Sequence, residues 1–226
     1  MALDIATTPY RNDFPLFAQY PDLAFLDSAA TAQRPACVID AQSEFYRTMN
    51  ANPLRGLYEI SMKATDAIRS ARAHIARFIG ATSGDDILFT RNTSESLNLI
   101  AYAYAPTVLD AGDEVAISIM EHHSNMIPWQ QVCARCGARL VYLYCDGDGQ
   151  IPESELAKIG PKTKIVSCTQ VSNVLGVQGP IQRLAQLAHD AGAVLVVDGA
   201  QSVPHIPVDV SELGCDFFAF SGHKVF

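Results

Sequence analysis

The feature that most constrains the fold of this chain is a series of short apolar runs separated by segments with helical periodicity. The most apolar run is Val194-Leu195-Val196-Val197, which ends at Asp198. Strands are predicted at six places, namely 87–90, 114–119, 139–143, 164–169, 193–198 and 216–221. Helices are predicted at 36–49, 61–79, 151–158 and 181–191. Two more are predicted, one from the polar turn at 91–95 to residue 105 and one that ends near residue 137. This alternation predicts an α/β fold, with a mostly parallel sheet covered by helices on both faces.

Polar residues follow most of the predicted strands. They are Thr93 and Ser94, His122 and His123, Asn173, Asp198 and Gln201, and the run Ser221-Gly222-His223-Lys224. Ligands of parallel α/β sheets bind outside the carboxyl ends of the strands. We therefore expect these side chains to share one functional site.

Composition narrows the classes of function. The 226 residues are 49% hydrophobic and 18% charged, which is typical of a globular protein, and the net charge of −8 argues against nucleic acid and anionic membranes as partners. The first six residues show no basic n-region, and no apolar run approaches the ~20 residues that span a bilayer. Six scattered cysteines in a chain of this size predict a reduced, cytoplasmic protein.

One acid and one lysine in this set favour pyridoxal phosphate (PLP) chemistry. A PLP enzyme holds the cofactor aldehyde as a Schiff base on a lysine, and a carboxylate keeps the pyridine nitrogen protonated. Asp198 at a strand end and Lys224, expected on a loop behind the Ser-Gly-His turn, are the candidates, with Gln201 near the phenolic oxygen. The structural alternatives are a turn carboxylate, an exposed lysine and a surface glutamine.

The remaining polar positions have simpler alternatives as well. Hydroxyls and N–H groups at Asn92-Thr93-Ser94 are suited to an anion at a helix N-terminus, or they form a plain N-cap with Glu95. Ser221 and His223 are candidate phosphate donors. Adjacent His122 and His123 do not have zinc-site spacing, and Cys133-x-x-Cys136 lacks a second ligand pair, so no metal site is predicted. A histidine stacked on an aromatic cofactor is the better functional interpretation.

Five motifs, in order, resemble a known family. They are Phe25-Leu26-Asp27-Ser28-Ala29-Ala30, Glu121-His122-His123-Ser124-Asn125-Met126-Ile127-Pro128-Trp129, Val171-Ser172-Asn173-Val174-Leu175-Gly176, Asp198-Gly199-Ala200-Gln201 and Ser221-Gly222-His223-Lys224. The chain resembles the SufS-type (group II) cysteine desulfurases, which belong to the class V aminotransferase-like PLP enzymes of fold type I. The Glu-His-His…Pro-Trp segment favours this branch over kynureninases, epimerases and transaminases.

The resemblance implies a role for each matching position. Lys224 resembles the lysine that binds the cofactor and moves the Cα proton, Asp198 the pyridinium partner, and His122 the ring-stacking, proton-handling histidine. The other matches are Gln201 near the cofactor phenolic oxygen, Asn173 beside the substrate, and Thr93, Ser94, Ser221 and His223 around the phosphate. Arg55-Gly56 resembles a loop that reaches the site of the other subunit of a homodimer.

The activity implied for the full-length protein is the conversion of L-cysteine to L-alanine. Sulfur passes to a protein cysteine as a persulfide and then to a sulfur-acceptor protein of iron–sulfur cluster assembly. The alternatives are a selenocysteine lyase, another class V lyase or transaminase, and a non-catalytic truncated relic.

The family pattern and this chain differ in three respects. We expect residues 1–34 to form an N-terminal arm and the first segment of the small-domain side, 35–226 to be a partial PLP-binding large domain, and the C-terminal small domain to be absent. The family's persulfide cysteine and carboxylate-binding arginine lie in that domain, so none of the six cysteines is assigned and the fragment is expected to be inactive.

The family also inserts an antiparallel strand from just after the lysine, and Leu54-Arg55-Gly56-Leu57-Tyr58 departs from the usual His-Arg-Gly-x-His.

Overall fold

The computed structural model describes residues 9–225, which divide into two compact units. Unit 1 comprises residues 9–76, 83–87 and 222–225, and unit 2 comprises 77–82 and 88–221. The predicted absence of a basic n-region concerns residues outside the described range. No helix within residues 9–225 is both long and apolar enough to cross a membrane.

Unit 2 is built on a five-stranded sheet. Its strands are β1 (Glu114–Ser118), β2 (Arg139–Leu143), β3 (Thr163–Thr169), β4 (Val194–Asp198) and β5 (Phe217–Ala219). All four pairings are parallel, and the strand order is β2-β1-β3-β4-β5. The predicted α/β class with a parallel sheet is confirmed, and the strands predicted from 114 onward lie within two residues of their observed bounds.

Helices connect the strands of unit 2. They are α4 (Thr93–Leu99), which continues as a π-helix (Ile100–Tyr104) and a 3₁₀ turn (Ala105–Thr107), then α5 (Ile127–Cys136), α6 (Glu153–Leu156), α7 (Ile181–Asp190) and α8 (Val210–Leu213), with a 3₁₀ turn at His123–Asn125 before α5. Gly137 ends α5 in the left-handed region, at a φ of 70°, which a residue with a Cβ adopts only at a cost.

The core of unit 2 lies on both faces of the sheet. Successive residues of a strand point to opposite faces, and in β1 Ala116 belongs to one apolar cluster while Val115 and Ile117 belong to the other. The first cluster contains Leu184 of α7, and the second contains Trp129 of α5. Helices therefore cover both faces, as the alternating pattern predicts.

Unit 1 contains three helices before the sheet and one after it. They are α1 (Pro15–Gln19), α2 (Ala36–Thr48), α3 (Glu59–Phe78, whose last two residues fall in unit 2) and α9 (Gly222–Val225). All 13 residues of α2 are described and none is buried. In α3 the buried residues are Ser61, Ala64 and Ala76.

Three local predictions are wrong. The strand predicted at 87–90 is irregular, because none of the described strands pairs with it, and Leu88 is left 65% exposed. The predicted helix at 151–158 shortens to α6, since Pro152 lies at its N-cap. Lys224 lies in a single helical turn, α9, rather than in a loop. The division at residue 34 and the inserted antiparallel strand stay expectations.

Candidate functional site

The carboxyl ends of the central strands of unit 2 lie side by side. In the sheet register Thr169 of β3 lies opposite Asp198 of β4, and Asp198 lies opposite Ala219 of β5. In such a sheet this edge is where a ligand site is expected. The sequence places Asp198, Thr93 and His122 at the same edge, and unit 2 contains all three.

Asp198 is a buried acid with an ordered backbone around it. Its side chain is 3% exposed, and its Oδ1 accepts a hydrogen bond of 2.9 Å from the N–H of Ala200. Its carbonyl oxygen accepts from the N–H of Gln170 at 2.9 Å, and the Thr169 hydroxyl, which donates to Val171 at 2.9 Å, lies 3.4 Å from it. The turn-carboxylate alternative is thus present in the structure.

Gln201 is buried too, with 6% of its surface exposed, which rules out a surface glutamine. It follows Asp198 by three residues, in a segment where the chain turns, and its carbonyl oxygen is 2.7 Å from Nδ1 of His205. The turn holds Gln201 in the interior of unit 2 at the end of β4.

Two residues far apart in the sequence meet at the start of α4. The N–H of Thr93 donates to Ser221 Oγ at 2.9 Å, and the two hydroxyl oxygens are 2.6 Å apart. Both side chains are buried, at 4% exposure each. Asn92 caps α4 by accepting from the N–H of Glu95 at 3.0 Å, so the plain N-cap and the hydroxyl pair coexist.

A second pair of hydroxyls links α4 to His122. Ser94 Oγ is 2.5 Å from Ser124 Oγ, and Ser124 Oγ is 2.9 Å from Nδ1 of His122. The N–H of Ser124 also donates to that ring nitrogen, at 3.1 Å. Because Nδ1 accepts this backbone hydrogen bond, a neutral His122 carries its proton on Nε2. The His122 ring is exposed, so one nitrogen is anchored and the ring remains open to a ligand.

Directly before His122 lies a buried carboxyl group that the sequence analysis did not assign. Glu121 is 8% exposed and accepts hydrogen bonds from the Ser118 hydroxyl, from the N–H of Thr169 at 2.8 Å and from Asn125 Nδ2 at 2.5 Å. Burial raises the pKa of Glu121, these donors lower it, and the charge of Asp198 raises it. The net result is a pKa of about 8, against an ordinary value of 4.5.

Asn173 is not joined to these groups by a hydrogen bond within residues 9–225. It is exposed in a turn closed by a bridge between Val171 and Gln178, and its side chain makes no hydrogen bond within residues 9–225. Ser172 holds the turn, since its N–H donates to the carbonyl of Val177 at 3.0 Å. The structure therefore does not connect Asn173 with the other candidates.

His223 and Lys224 lie in α9 of unit 1. The carbonyl oxygen of His223 accepts from the N–H of Ala32 at 2.9 Å, from Arg34 Nη1 at 3.1 Å and from the Thr31 hydroxyl at 3.2 Å. Burial lowers the pKa of His223, and the neighbouring charges of Lys224 and Arg34 lower it further. A lowered pKa favours the neutral imidazole at pH 7. Lys224 itself is half-buried.

Sequence reasoning missed the polar residues that support this edge. Ser124 joins Ser94 to His122, and Asn125 joins Glu121 to Trp129. The available signal for Glu121 was its position three residues after the end of β1, although its burial also depends on the neighbouring end of β3. Within residues 9–225 no group of three or more His, Cys, Asp and Glu side chains could hold a metal ion.

The arrangement in unit 2 combines three chemical capacities. A buried carboxylate can stabilise a cationic nitrogen, paired hydroxyls can re-aim their hydrogens toward an anion, and an exposed imidazole can cover an aromatic ring. Together they suit a ligand that is anionic at one end and carries a basic aromatic nitrogen at the other.

Comparison with known proteins identifies a family and several relatives of this chain. The family model for aminotransferase class-V matches residues 24–226. A probable cysteine desulfurase of Halalkalibacterium halodurans is 52% identical over 204 residues, which are 90% of this chain and 50% of the relative. A cysteine desulfurase of Escherichia coli is 44% identical over 220 residues, which are 96% of this chain and 54% of the relative.

Solved structures share the fold. The apo structure of a cysteine desulfurase from Thermococcus onnurineus superposes with a TM-score of 0.90 at 38% identity and covers 100% of this chain and 55% of its own. The cysteine desulfurase CsdA of Escherichia coli gives a TM-score of 0.85 at 37% identity over 95% of this chain and 54% of its own. The chain thus spans about half the length of the relatives it matches.

Proposed function

The chain belongs to the aminotransferase class-V family, and from that premise we propose that it forms the cofactor-binding part of a PLP-dependent cysteine desulfurase. The observation that carries the proposal is the buried Asp198 at the end of β4, in the same unit as the Thr93–Ser221 hydroxyl pair and the exposed ring of His122. The names of the relatives supply the reaction, and the chemistry of these side chains supplies the reason that PLP suits this site.

Asp198 fits the basic end of the cofactor. A carboxylate that is 3% exposed interacts strongly with a nearby positive charge, because little water screens the pair. A protonated pyridine nitrogen supplies that charge, and the carboxylate in turn holds the proton on that nitrogen. With its ring nitrogen protonated, PLP supplies an electron sink for the substrate carbon that loses its proton.

The hydroxyls near α4 fit the phosphate end. Thr93, Ser94 and Ser221 carry three hydroxyl groups that can each donate one hydrogen bond to a phosphate oxygen. The N–H of Thr93 already faces the Ser221 hydroxyl at 2.9 Å. We assign His223 to the same phosphate group and Gln201 to the phenolic oxygen, on the match of sequence motifs.

His122 and Lys224 are the residues to which we assign proton handling. The Nδ1 of His122 is held by Ser124, so Nε2–H is the ring group that can donate a hydrogen bond to a ligand, and the proton-handling role is assigned on the match of sequence motifs. Lys224 is assigned to bind the cofactor aldehyde and to move the proton on the substrate Cα. A lysine does this only when part of its amine is neutral, which burial or a nearby cation promotes.

The overall reaction is a transfer of one sulfur atom. L-cysteine loses its sulfur to a protein thiol and becomes L-alanine, and the thiol becomes a persulfide, so no outside oxidant or reductant is required. The Glu-His-His…Pro-Trp segment favours the SufS branch, for which we propose a homodimer, a cytoplasmic location and a sulfur-acceptor protein of iron–sulfur assembly. None of the six cysteines is assigned as the acceptor thiol.

The first test is cofactor affinity. PLP is titrated into the chain and followed by absorbance, with Asp198→Asn compared with Asp148→Asn, an exposed aspartate in unit 2. Losing one charge-assisted hydrogen bond costs about 1.5–3 kcal/mol, so Asp198→Asn should weaken binding by about 10–100-fold while Asp148→Asn leaves it unchanged. Equal affinities for the two variants would contradict the proposal.

The substrate is tested separately on the PLP-loaded full-length protein, for which the activity is proposed. Alanine is quantified after incubation with L-cysteine or with L-selenocysteine. Alanine formed from both substrates supports a desulfurase. Alanine formed from selenocysteine alone supports the selenocysteine lyase, and failure of the protein to bind PLP supports the non-catalytic relic.

A further inference from the structure

The buried carboxyl group of Glu121 joins three elements of unit 2. Its Oε1 accepts from the Ser118 hydroxyl at the end of β1 and from the N–H of Thr169 at the end of β3, and its Oε2 accepts from Asn125 in the turn before α5. The residue that follows it is His122. One side chain therefore ties together two strand ends and the turn that presents the exposed imidazole.

Asn125 extends this network into the core. Its Oδ1 accepts from the indole N–H of Trp129 at 2.9 Å and from the Ser167 hydroxyl at 2.8 Å. Because the Asn125 oxygen is committed to two donors, its Nδ2 must be the atom that donates to Glu121. Asn125, Trp129 and Ser167 are all fully buried, so the orientation is fixed without water.

The donor set favours the ionised form of Glu121, whereas burial favours the protonated form. The N–H of Thr169 and the Asn125 amide can only donate, and the Ser118 hydroxyl is the one partner that could accept a proton. The titratable groups that face Glu121 are Asp198 from β4 and Cys168 from β3, and the charge of Asp198 opposes ionisation of Glu121. The balance of burial and donors brings the pKa of Glu121 to about 8, where both forms are populated.

The network also reaches Asp198. The N–H of Thr169 donates to Glu121, and the next residue, Gln170, donates its N–H to the carbonyl oxygen of Asp198 at 2.9 Å. The Thr169 hydroxyl donates to the carbonyl of Val171 at 2.9 Å and lies 3.4 Å from the same Asp198 oxygen. The end of β3 is thus held by Glu121 on one side and holds the end of β4 on the other.

We propose that Glu121 is a positioning residue of the candidate site: its carboxyl group fixes the ends of β1 and β3 against the His122 turn and so sets the places of His122 and Asp198. This inference rests on the proposed function, because it concerns the PLP site. Glu121 acts through its contacts with Ser118, Thr169 and Asn125 and does not itself touch the cofactor.

The chain has a single tryptophan, which makes the network directly observable. The indole N–H of Trp129 gives one ¹H–¹⁵N resonance, and Asn125 connects it to Glu121. Between pH 6 and 10 this resonance should shift with a midpoint near pH 8 in the cofactor-free chain. Glu121→Gln should abolish the transition, and a transition that persists unchanged in this variant would overturn the network.

Two further variants keep the test valid if Glu121→Gln does not fold. Ser118→Ala removes a donor that favours the ionised form, so the midpoint should move to higher pH, and an unmoved midpoint would count against the assignment. Glu114→Gln is the matched control. Glu114 is equally buried, at 8% exposure, and lies at the opposite end of β1, where it pairs with Arg139. This control should leave the midpoint unchanged.

Positioning is tested by the His122 ring and by cofactor affinity. Without cofactor, the ring resonances of His122 should move in Glu121→Gln and stay in place in Glu114→Gln. With cofactor, Glu121→Gln and Glu121→Asp should both bind PLP about tenfold more weakly, since the shorter aspartate keeps the charge but not the three contacts. Full affinity in Glu121→Asp, or unmoved His122 resonances, would overturn positioning by contact.

These readouts separate the two proposals. If the wild-type chain does not bind PLP, the proposed function fails, and the Trp129 transition and the His122 resonances still decide whether Glu121 orders this strand edge. If PLP binds equally to wild type and Glu121→Gln, the proposed function stands and the positioning role is wrong.

Discussion

The two units of the chain differ in how far their apolar residues are buried. In unit 2 every residue of β1 is buried, and the sheet separates two apolar clusters that helices cover. In unit 1 no residue of α2 is buried, although all of that helix is described, and Leu57 is 96% exposed. Unit 2 therefore holds the hydrophobic core, whereas the helices of unit 1 have apolar side chains that are not covered within residues 9–225.

This difference shows that the amphipathic pattern of a helix and the burial of its apolar face are separate properties. Amphipathic periodicity predicts α2 and α3 as well as it predicts α7, because all three helices form where they are expected. Burial of the apolar face stabilises a helix, whereas periodicity only makes it possible. Stability and the buried polar network should therefore depend on unit 2, and changes in unit 1 should be tolerated.

The largest expected contrast is in the reactivity of the cysteines. Cys37 of α2 is exposed, while burial raises the pKa of Cys168 well above its ordinary value and that of Cys133 to about 11. Native alkylation at pH 7.5, followed by peptide mass spectrometry, should modify Cys37 at least about a thousandfold faster than Cys168. Comparable rates would mean that unit 2 opens readily.

The next contrast is between two leucines. Leu195 of β4 is fully buried and Leu57 is exposed. Leu195→Ala should lower the free energy of unfolding by about 2–5 kcal/mol, while Leu57→Ala changes it by no more than about 0.5 kcal/mol. Urea unfolding followed by circular dichroism measures both. A large effect of Leu57→Ala would show that unit 1 is packed more tightly than its exposure indicates.

A smaller contrast is expected between buried polar residues. Asn125→Ala leaves the Trp129 indole and the Ser167 hydroxyl without their acceptor, at a cost of about 1–3 kcal/mol. Ser61 is the fully buried polar residue of unit 1, and its hydroxyl accepts from Gly56 and donates to Asn52. Ser61→Ala should cost about 1 kcal/mol. The same urea experiment compares them, and a larger loss for Ser61→Ala would reverse the ranking.

The last contrast is between the two buried glutamates, and it appears in the dependence of stability on pH. Glu121 loses its proton near pH 4.5 in the unfolded chain and near pH 8 in the folded chain, so unfolding releases a proton between these values. The resulting stabilisation is complete below pH 4.5 and is lost as the pH rises to about 8, with a slope of at most about 1.4 kcal/mol per pH unit. Glu121→Gln should flatten this slope in urea titrations from pH 5 to 8, whereas Glu114→Gln should keep it.

The sequence predicts the sheet well because its signal is local. An apolar run such as Val194–Asp198 forms a strand when neighbouring strands can pair with it, and five of the six predicted strands form. The segment at 87–90 has the same apolar character but no partner strand among the described residues, so its backbone stays irregular. Strand pairing depends on the rest of the molecule, and this is the information that periodicity lacks.

The candidate site is predictable only in outline. Parallel topology places His122 and Asp198 at one sheet edge, and this much follows from the predicted strand ends. The strand predicted before Thr93 does not form, and Thr93 reaches this edge through its contact with Ser221 after β5. The Thr93–Ser221 contact joins residues 128 positions apart, and no local pattern indicates it. No local pattern indicates the burial of Glu121 either, because it requires the ends of β1 and β3 to lie together.

The most direct measurement of the central claim is the site of covalent PLP attachment. The chain has five lysines, and Lys224 is the one that the account assigns to the cofactor. After incubation with PLP and borohydride reduction, peptide mass spectrometry should find the pyridoxyl group on Lys224, with far less of it in Asp198→Asn and none at that position in Lys224→Ala. Modification spread evenly over Lys63, Lys158, Lys162, Lys164 and Lys224 would contradict the account.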